Sequence, residues 1–270
     1  MRVVVFLRER KQGAGQVDDL LRTAVEKKCS QAPTRTKLVV VLTTAGGYME
    51  PVQRMVDTLR RHYQVVDFII PNYAYSAGTI FAMSGDAIYM DYYSRLGPID
   101  PQMEGSTGQM VSALGQLERY NDLIAKAQNG TITAAEVQLL IDGFDQAELY
   151  HYEQARELSI QFLKEWLVKY KFKNWTVTAT RKTPVTQQMK EERAAFIGME
   201  LNNTKKWHSH GYGISMDVLQ NDLKLLIDDY GADRDLSDRI RAYHNLFADY
   251  MGVRNARGVI HIPGDYRQYM

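Results

Sequence analysis

A serine and a pair of glycines are the residues of this chain whose types and spacing best fit chemistry. The serine, Ser76, lies in the segment YSAGTIFAMSGDAIYMD, and the pair, Gly46-Gly47, lies in an earlier turn. A serine hydroxyl attacks a carbonyl carbon when a base takes its proton and backbone N–H groups stabilise the oxyanion that forms. The two segments therefore predict acyl transfer, with Ser76 as the nucleophile.

Small residues surround both segments. Ala77 and Gly78 follow the serine directly, and Gly46 opens the glycine turn. Such side chains let a substrate approach the backbone closely. A helix that begins after Ser76 would also point the positive end of its dipole at developing negative charge. We expect Gly46 and Gly78 to line the substrate-binding surface.

Two apolar runs are predicted to position these turns. Leu38 to Leu42 ends shortly before the glycine pair, and Val65 to Ile70 precedes the serine. Continuous apolar runs are typical of strands covered on both faces. Helical spacing follows each turn, and Ala87 to Met90 predicts a further strand. Strand, helix, strand, helix, strand indicates an α/β fold with a largely parallel core.

The rest of the chain is predicted to be mostly helical, with a mobile loop at 103–110 and an exposed extended segment at 174–186. We expect one α/β core over residues 1–215, with a helical insertion at about 111–170. A helical extension at 216–270 is expected to pack on that core. Other predicted elements are a strand at Val3 to Leu7, a helix capped by Thr133, and helices near 17–28, 111–127, 147–170, 187–201, 216–229 and 236–251.

Composition excludes several classes of protein. The 270 residues are 45% hydrophobic with a net charge of +1, which gives no reason to expect nucleic acid or anionic lipid as the main partner. The single cysteine, Cys29, excludes an internal disulfide and fits a reducing compartment. No apolar run reaches the length of a membrane span, so we expect a soluble, cytoplasmic protein. His208 and His210 lack a third ligand at matching spacing, so neither metal nor cofactor is predicted.

Three motifs occur in order and at a specific spacing: LVVVLTTAGGYMEP, then S-A-G-T, then LGPIDPQ. Together they resemble the serine dehydrogenase proteinase family. That family belongs to the wider group of Clp protease, signal peptide peptidase A and crotonase-like folds. The resemblance covers residues 36–102 well and returns at WHSHGYGIS, residues 207–215.

The resemblance implies a spiral of ββα units with appended helices and Ser76 as nucleophile. It also implies that the backbone N–H groups of Gly47 and Ala77 form the oxyanion hole. Peptide or protein substrates follow from it, as does a homo-oligomer, either trimer or hexamer. Because the chain has no G-x-x-x-x-G-K-[ST] loop, processive degradation would need a separate activator or unfoldase.

The proton acceptor has several candidates. His210 is the first, because related proteins carry a histidine at this step. His151 is the second, since it shares a helical stripe with apolar residues and is expected to face inward. Lys164 is a third, although Gln154 stands where lysine-dependent relatives carry their base. Asp100 could orient a histidine, as the third member of a triad does, or brace its own turn.

The leading hypothesis is a serine peptidase that works through an acyl-enzyme on Ser76. A catalytically degenerate member of the same fold, acting as an oligomeric scaffold or partner-binding module, is the alternative. A crotonase-like acyl-CoA enzyme shares the oxyanion chemistry without needing Ser76. A nicotinamide-dependent dehydrogenase is rejected, because the chain lacks a dinucleotide fingerprint.

Overall fold

The computed structural model describes residues 17–31, 36–104 and 110–269. The predicted first strand, Val3 to Leu7, lies outside these residues. The helices are α1 (Val17–Gln31), α2 (Met49–His62), α3 (Ala77–Met83), α4 (Ala113–Gln128), α5 (Ala134–Asp142), α6 (Gln146–Trp166), α7 (Gln187–Leu201), α8 (Thr204–Trp207), α9 (Met216–Asn221) and α10 (Arg234–Arg254).

Eleven strands form four small sheets within the described residues. They are β1 (Lys37–Val41), β2 (Val65–Ile69), β3 (Tyr73–Ala74), β4 (Ala87–Met90), β5 (Arg95–Leu96), β6 (Gln102–Glu104), β7 (Met110–Ser112), β8 (Ile214–Ser215), β9 (Asp228–Asp229), β10 (Gly258–Ile262) and β11 (Asp265–Tyr269).

The main sheet has the strand order β1-β2-β4-β9, and all of its pairings are parallel. Parallel neighbours need crossover connections, which α2 and α3 supply. Leu38 and Val40 of β1 and Phe68 of β2 are fully buried, as continuous apolar runs predict. On α2, five apolar residues form the buried stripe that packs against this core: Pro51, Val52, Met55, Val56 and Leu59.

A second sheet, β3-β5-β8, lies beyond the carboxyl ends of the main strands. β2 runs on into β3 and then α3, and β4 runs on into β5. After β1, Thr44 forms a parallel bridge with Ala74 of β3 before α2 begins. Each long strand is therefore followed by a short strand or bridge, which is the ββα architecture expected from the motifs.

The helical region contains the predicted helices with small changes at their ends. α7 spans the predicted 187–201, and Thr133 caps α5 with a reciprocal capping box to Glu136. α6 continues into a π-helical turn, Leu167–Lys171. The predicted loop at 103–110 is partly wrong, because β6 and β7 pair as antiparallel strands at its two ends. Residues 105–109 lie outside the described part of the chain.

The C-terminal segment is less helical than predicted. The helix expected to run to residue 229 ends at Asn221, and β9 then joins the edge of the main sheet. β10 and β11 form an antiparallel hairpin that contacts α1. Leu219 and Ile260 belong to the same apolar core as the main sheet. The extension therefore shares its interior with the rest of the fold.

No helix in the described ranges is both long enough and apolar enough to cross a bilayer.

Candidate active site

A single row of paired residues crosses the second sheet. Thr44 bridges Ala74, Ala74 pairs with Leu96 in parallel, and Leu96 pairs with Ile214 in antiparallel register. The segment that contains Thr44 therefore runs in the same direction as β3 and β5, while β8 runs in the opposite direction. Residues that follow Thr44, Ala74 and Leu96 lie at the same edge as residues that precede Ile214.

That edge collects the residues singled out by the sequence. Gly46 lies two residues after Thr44, and Ser76 lies two residues after Ala74. Asp100 lies four residues after Leu96, and His210 lies four residues before Ile214. The hydrogen-bond register thus brings four segments that are distant in sequence to one end of the sheet.

Ser76 has a strained backbone at a sharp turn between β3 and α3. Its φ is 53° and its ψ is −123°, a conformation that non-glycine residues rarely adopt. Such conformations cost about 1–3 kcal/mol and persist only where the surrounding structure imposes them. Although Ser76 precedes the helix, its side chain makes no capping hydrogen bond to α3. The hydroxyl is therefore not used to cap the N-terminus of the helix.

The glycine turn touches this serine. Gly46 has a φ of +102°, and a methyl group there would lie 2.8 Å from the Cβ of Ser76 and 2.7 Å from the carbonyl oxygen of Tyr75. Both the conformation and the close contact require glycine. Gly78, the second residue of α3, is required for space alone, because a Cβ there would overlap the Thr44 side chain.

A cavity of about 30 Å³ lies between the glycine turn and the start of α3. It has room for a carbonyl oxygen or one or two waters, but not for a side chain. Its walls include all four residues predicted for the oxyanion hole and the substrate-binding surface: Gly46, Gly47, Ala77 and Gly78.

His210 and Asp100 form a hydrogen-bonded pair, with 2.8 Å between the histidine Nδ1 and the aspartate Oδ1. The carboxylate is buried, while the histidine side chain is 27% exposed. A carboxylate accepts hydrogen bonds, so this contact favours the tautomer in which Nδ1 carries the proton. Nε2 then keeps a lone pair that can accept a proton, which is the arrangement a general base needs.

The second oxygen of Asp100 is also engaged. Its Oδ2 accepts hydrogen bonds from Gln102 Nε2 at 3.0 Å and from Ser112 Oγ at 3.1 Å. Sequence reasoning missed both partners, although Gln102 stands in the PIDPQ motif. Ser112 had a detectable signal, since serine before a helix is a common N-cap.

Thr79 is a further residue that the sequence analysis did not single out. Its buried hydroxyl lies 2.8 Å from the carbonyl oxygen of Ala74 and 2.9 Å from the backbone nitrogen of Gly97, which donates to it. The side chain therefore ties α3 to the turn that leads to Asp100. The signal was its place in the S-A-G-T motif.

The structure does not show every expected contact. In the described part of the chain, no hydrogen bond joins the Ser76 hydroxyl to His210. Hydrogen bonds between catalytic groups are often long in unliganded enzymes and shorten when substrate binds. His208, two residues before His210, is exposed and ends α8 in the left-handed conformation.

The two alternative bases lie elsewhere. The expectation that His151 faces inward is wrong, because α6 buries Leu149 and Tyr152 there and leaves the histidine exposed beside Tyr150. Lys164 is exposed on α6 and lines a separate cavity between α4 and α6. The pair with a buried carboxylate favours His210 over both.

Structural comparison finds resemblance at low sequence identity. A membrane-bound stomatin-specific protease, solved as a mutant with a substrate peptide, is 12% identical with a TM-score of 0.49 over 84% of this chain and 74% of that chain. ClpP1 from Listeria monocytogenes is 10% identical with a TM-score of 0.44, over 86% of this chain and 93% of that chain.

Two curated relatives are uncharacterized proteins of Methanocaldococcus jannaschii. One is 35% identical over 27% of this chain, and the other is 27% identical over 46% of it. The alignments span only 25% and 40% of the lengths of those relatives. A family model described as ClpP-like SDH-type serine proteinase matches residues 17–161, more than half of the chain. This chain belongs to that family.

Proposed function

We propose that this protein is a serine peptidase that hydrolyses peptide bonds through an acyl-enzyme on Ser76. The observation that carries the proposal is the Asp100–His210 pair, held at the same sheet edge as a serine with a strained backbone. A half-buried serine with no capping role, an oriented imidazole and a small cavity lined by the glycine turn and the start of α3 are the components that acyl transfer needs.

In the proposed first step, Ser76 Oγ attacks the carbonyl carbon of the substrate and His210 Nε2 takes the hydroxyl proton. The carbonyl oxygen becomes an oxyanion that accepts hydrogen bonds from the N–H groups of Gly47 and Ala77. Asp100 stabilises the imidazolium that results. When the tetrahedral intermediate collapses, the C–N bond breaks, and the imidazolium donates its proton to the leaving amine.

The second step repeats this chemistry with water. His210 takes a proton from water as the water oxygen attacks the acyl carbon, and the same backbone N–H groups hold the new oxyanion. Collapse breaks the bond to Ser76 Oγ, and the serine regains its proton from the imidazolium. Each N–H donor is worth about 3–4 kcal/mol of transition-state stabilisation.

Active-site labelling tests the assignment of the nucleophile. Wild-type protein is incubated with a fluorophosphonate, and the modified residue is located by mass spectrometry. We expect modification of Ser76, and loss of both labelling and peptide cleavage in Ser76→Ala. Ser30→Ala, which changes an exposed serine at the end of α1, is the matched control and should behave as wild type. Labelling of another residue would defeat the assignment.

Ser76→Ala and the wild-type protein together separate the peptidase from the two alternative functions. A crotonase-like acyl-CoA enzyme would keep its acyl-CoA turnover in Ser76→Ala. A scaffold would show neither labelling nor turnover in the wild type and would still form a defined oligomer.

One observation favours an assembly function in addition to catalysis. α5 buries none of its residues within the described part of the chain and exposes three apolar side chains: Val137, Leu139 and Ile141. Exposed apolar surface of this kind often marks a contact site. We propose that the peptidase is a homo-oligomer, as the family resemblance implies. Its mass measured by light scattering should be a small multiple of 31.0 kDa.

A further inference from the structure

A larger cavity, of about 640 Å³, lies between α4 and α6 and reaches the end of α7. It has the size of a site for a small molecule or a short peptide segment. The cavity is lined by Leu114, Leu117, Glu118, Asn121, Arg156, Glu157, Ile160, Gln161, Lys164, Met199 and Asn202.

Two contacts place one end of this cavity beside the Asp100 turn. Leu114, in its wall, lies two residues after Ser112, whose hydroxyl lies 3.1 Å from Asp100 Oδ2. Asn202, also in its wall, follows Leu201, whose carbonyl oxygen accepts a hydrogen bond from the backbone N–H of Ile99 at 3.0 Å. One end of the cavity therefore adjoins the turn whose Asp100 carboxylate holds His210.

The lining indicates what the cavity would hold. Leu114 and Leu117 are buried and give it an apolar wall. Acidic and basic side chains are equal in number along the lining, which favours an occupant without net charge. Asn121 and Gln161 can both donate and accept hydrogen bonds, as peptide groups require. Asn202 is 9% exposed, and its Oδ1 is buried with no hydrogen-bond partner among the described atoms.

We propose that this cavity binds the substrate peptide on one side of the cleaved bond, and that it selects a bulky apolar side chain there. The side chain would lie on Leu114 and Leu117, and the amide side chains would bond to the peptide backbone. This inference rests on the proposed peptidase function and specifies its substrate class.

Partial filling of the cavity tests the inference. Gln161→Trp places a large ring at an exposed position on the cavity lining, so the apolar core is unchanged. Gln154→Trp is the matched control, because Gln154 is exposed on the same helix but is not part of the lining. Cleavage of a peptide library is measured for both, with fluorophosphonate labelling as the readout for the intact Ser76 site.

For Gln161→Trp we expect about a tenfold loss of cleavage after or before large apolar residues, relative to alanine peptides. Labelling of Ser76 should keep its wild-type rate, and Gln154→Trp should keep the wild-type preference. An unchanged preference in Gln161→Trp would overturn the inference while leaving the peptidase intact. Wild-type protein that neither labels nor cleaves would instead overturn the proposed function, and this inference with it.

A second, independent observation concerns Ser112. Its hydroxyl donates to Asp100 Oδ2 and accepts a hydrogen bond from the backbone N–H of Gly115 at 3.1 Å, as the N-cap of α4. Asp100 Oδ1 is thereby left facing His210. The geometry points to Ser112 as a positioning residue, which fixes the carboxylate plane and through it the imidazole. This inference also rests on the proposed function.

The variant Ser112→Gly separates the positioning of Asp100 from the capping of α4. Glycine is a nearly equivalent N-cap residue but offers no donor to Asp100, whereas threonine keeps both properties. Thr133→Gly makes the same change at the cap of α5, where the hydroxyl accepts from the backbone N–H of Glu136. The measurements are kcat and KM for one peptide, and the urea midpoint of unfolding.

We expect about a tenfold lower kcat with an unchanged KM in Ser112→Gly, and recovery in Ser112→Thr, because a misplaced base slows the chemical step without weakening substrate binding. Thr133→Gly should keep the wild-type kcat, and its urea midpoint should be similar to that of Ser112→Gly. A wild-type kcat in Ser112→Gly would overturn the inference, as would a loss in Ser112→Thr equal to that in Ser112→Gly. Wild-type protein without Ser76 labelling would count against the proposed function itself.

Discussion

Two aspartates at opposite ends of the strands, each with a side chain no more than 10% exposed, have different surroundings. Asp86, just before β4, receives hydrogen bonds from Arg60 and from the backbone N–H of Val66 at 2.7 Å, and it pairs with Lys173. Burial raises the pKa of Asp86, but hydrogen bonds from Lys173, Val66 and Arg60 outweigh it, so the pKa lies below its usual value. Arg60 also stacks on the Tyr170 ring.

Asp100, at the carboxyl end, has no such excess of positive charge among the contacts the structure describes. Its partners are one imidazole, one amide and one hydroxyl. The comparison shows that burial of a carboxylate does not by itself indicate a catalytic role. A carboxylate enclosed by fixed cations holds elements together, whereas one that orients a half-buried imidazole at the same sheet edge as a strained serine is suited to chemistry.

The largest effect is expected at the serine end. His210→Ala should lower kcat about 10⁴-fold, because removing the base of a serine triad costs this much or more. The free energy of unfolding should stay close to that of wild type, since the histidine is only half-buried. Peptide cleavage and urea unfolding are measured on the same preparation. Full activity in this variant would show that the Asp100–His210 pair has no catalytic role.

Gly46→Ala should reduce activity by about 10²–10³-fold, the effect of losing one oxyanion donor, because displacing the glycine turn would move the N–H of Gly47. The added methyl group would press on Ser76 and displace the glycine turn. Gly264→Ala is the control, because Gly264 also has a positive φ, at +87°, but a Cβ there comes only within 4.0 Å of the Lys28 ammonium. Gly264→Ala should lose about 1–2 kcal/mol of stability from its backbone conformation alone, and Gly46→Ala should lose more because of the added clash. Equal activity in the two would contradict the close contact with Ser76.

Asp86→Asn tests the opposite end. We expect the free energy of unfolding to fall by about 3 kcal/mol, because Arg60 and Lys173 would remain with no carboxylate to compensate them. The activity of the folded fraction should be unchanged. Asp100→Asn should show the reverse pattern, with a change of about 1 kcal/mol in stability and a large loss of kcat. Matching profiles for the two variants would erase the distinction between these aspartates.

A smaller effect should appear in the pH dependence of the free energy of unfolding, through Lys171 near the ion-paired end of the strands. Burial lowers the pKa of Lys171 from 10.5 to about 8, against the opposing influence of Asp228, Asp67 and Asp86. Between these values the unfolded chain binds more protons than the folded one, so stability rises with pH. We expect a gain of about 2 kcal/mol across this window. Lys171→Met should remove the gain, and urea unfolding at pH 8 and 10 measures it.

Local signals in the sequence predicted local structure well. The Thr133 cap and the 187–201 helix were found because capping residues and apolar spacing act within a few turns. β9 was missed because a two-residue strand is defined by its partner, β4, and not by its own composition. The β10–β11 hairpin was also missed, since residues 258–269 had no predicted element.

The site was predicted only in part, because some of its residues lie in local motifs and others are defined by distant partners. Ser76 and the glycine pair lie in motifs, whereas the contact between Asp100 and His210 joins residues 110 positions apart. The apolar stripe on α6 did not determine which flank is buried, so His151 was placed on the wrong side. Ser112 acts through a side-chain contact that no spacing rule encodes.

The most direct test of the account is the crystal structure of the protein after reaction with a fluorophosphonate. We expect a covalent bond from phosphorus to Ser76 Oγ, with the phosphoryl oxygen about 2.7–3.1 Å from the nitrogen atoms of Gly47 and Ala77. His210 Nε2 should lie within hydrogen-bond distance of Ser76 Oγ. A phosphoryl group attached elsewhere, or an oxygen directed away from these two N–H groups, would contradict the account.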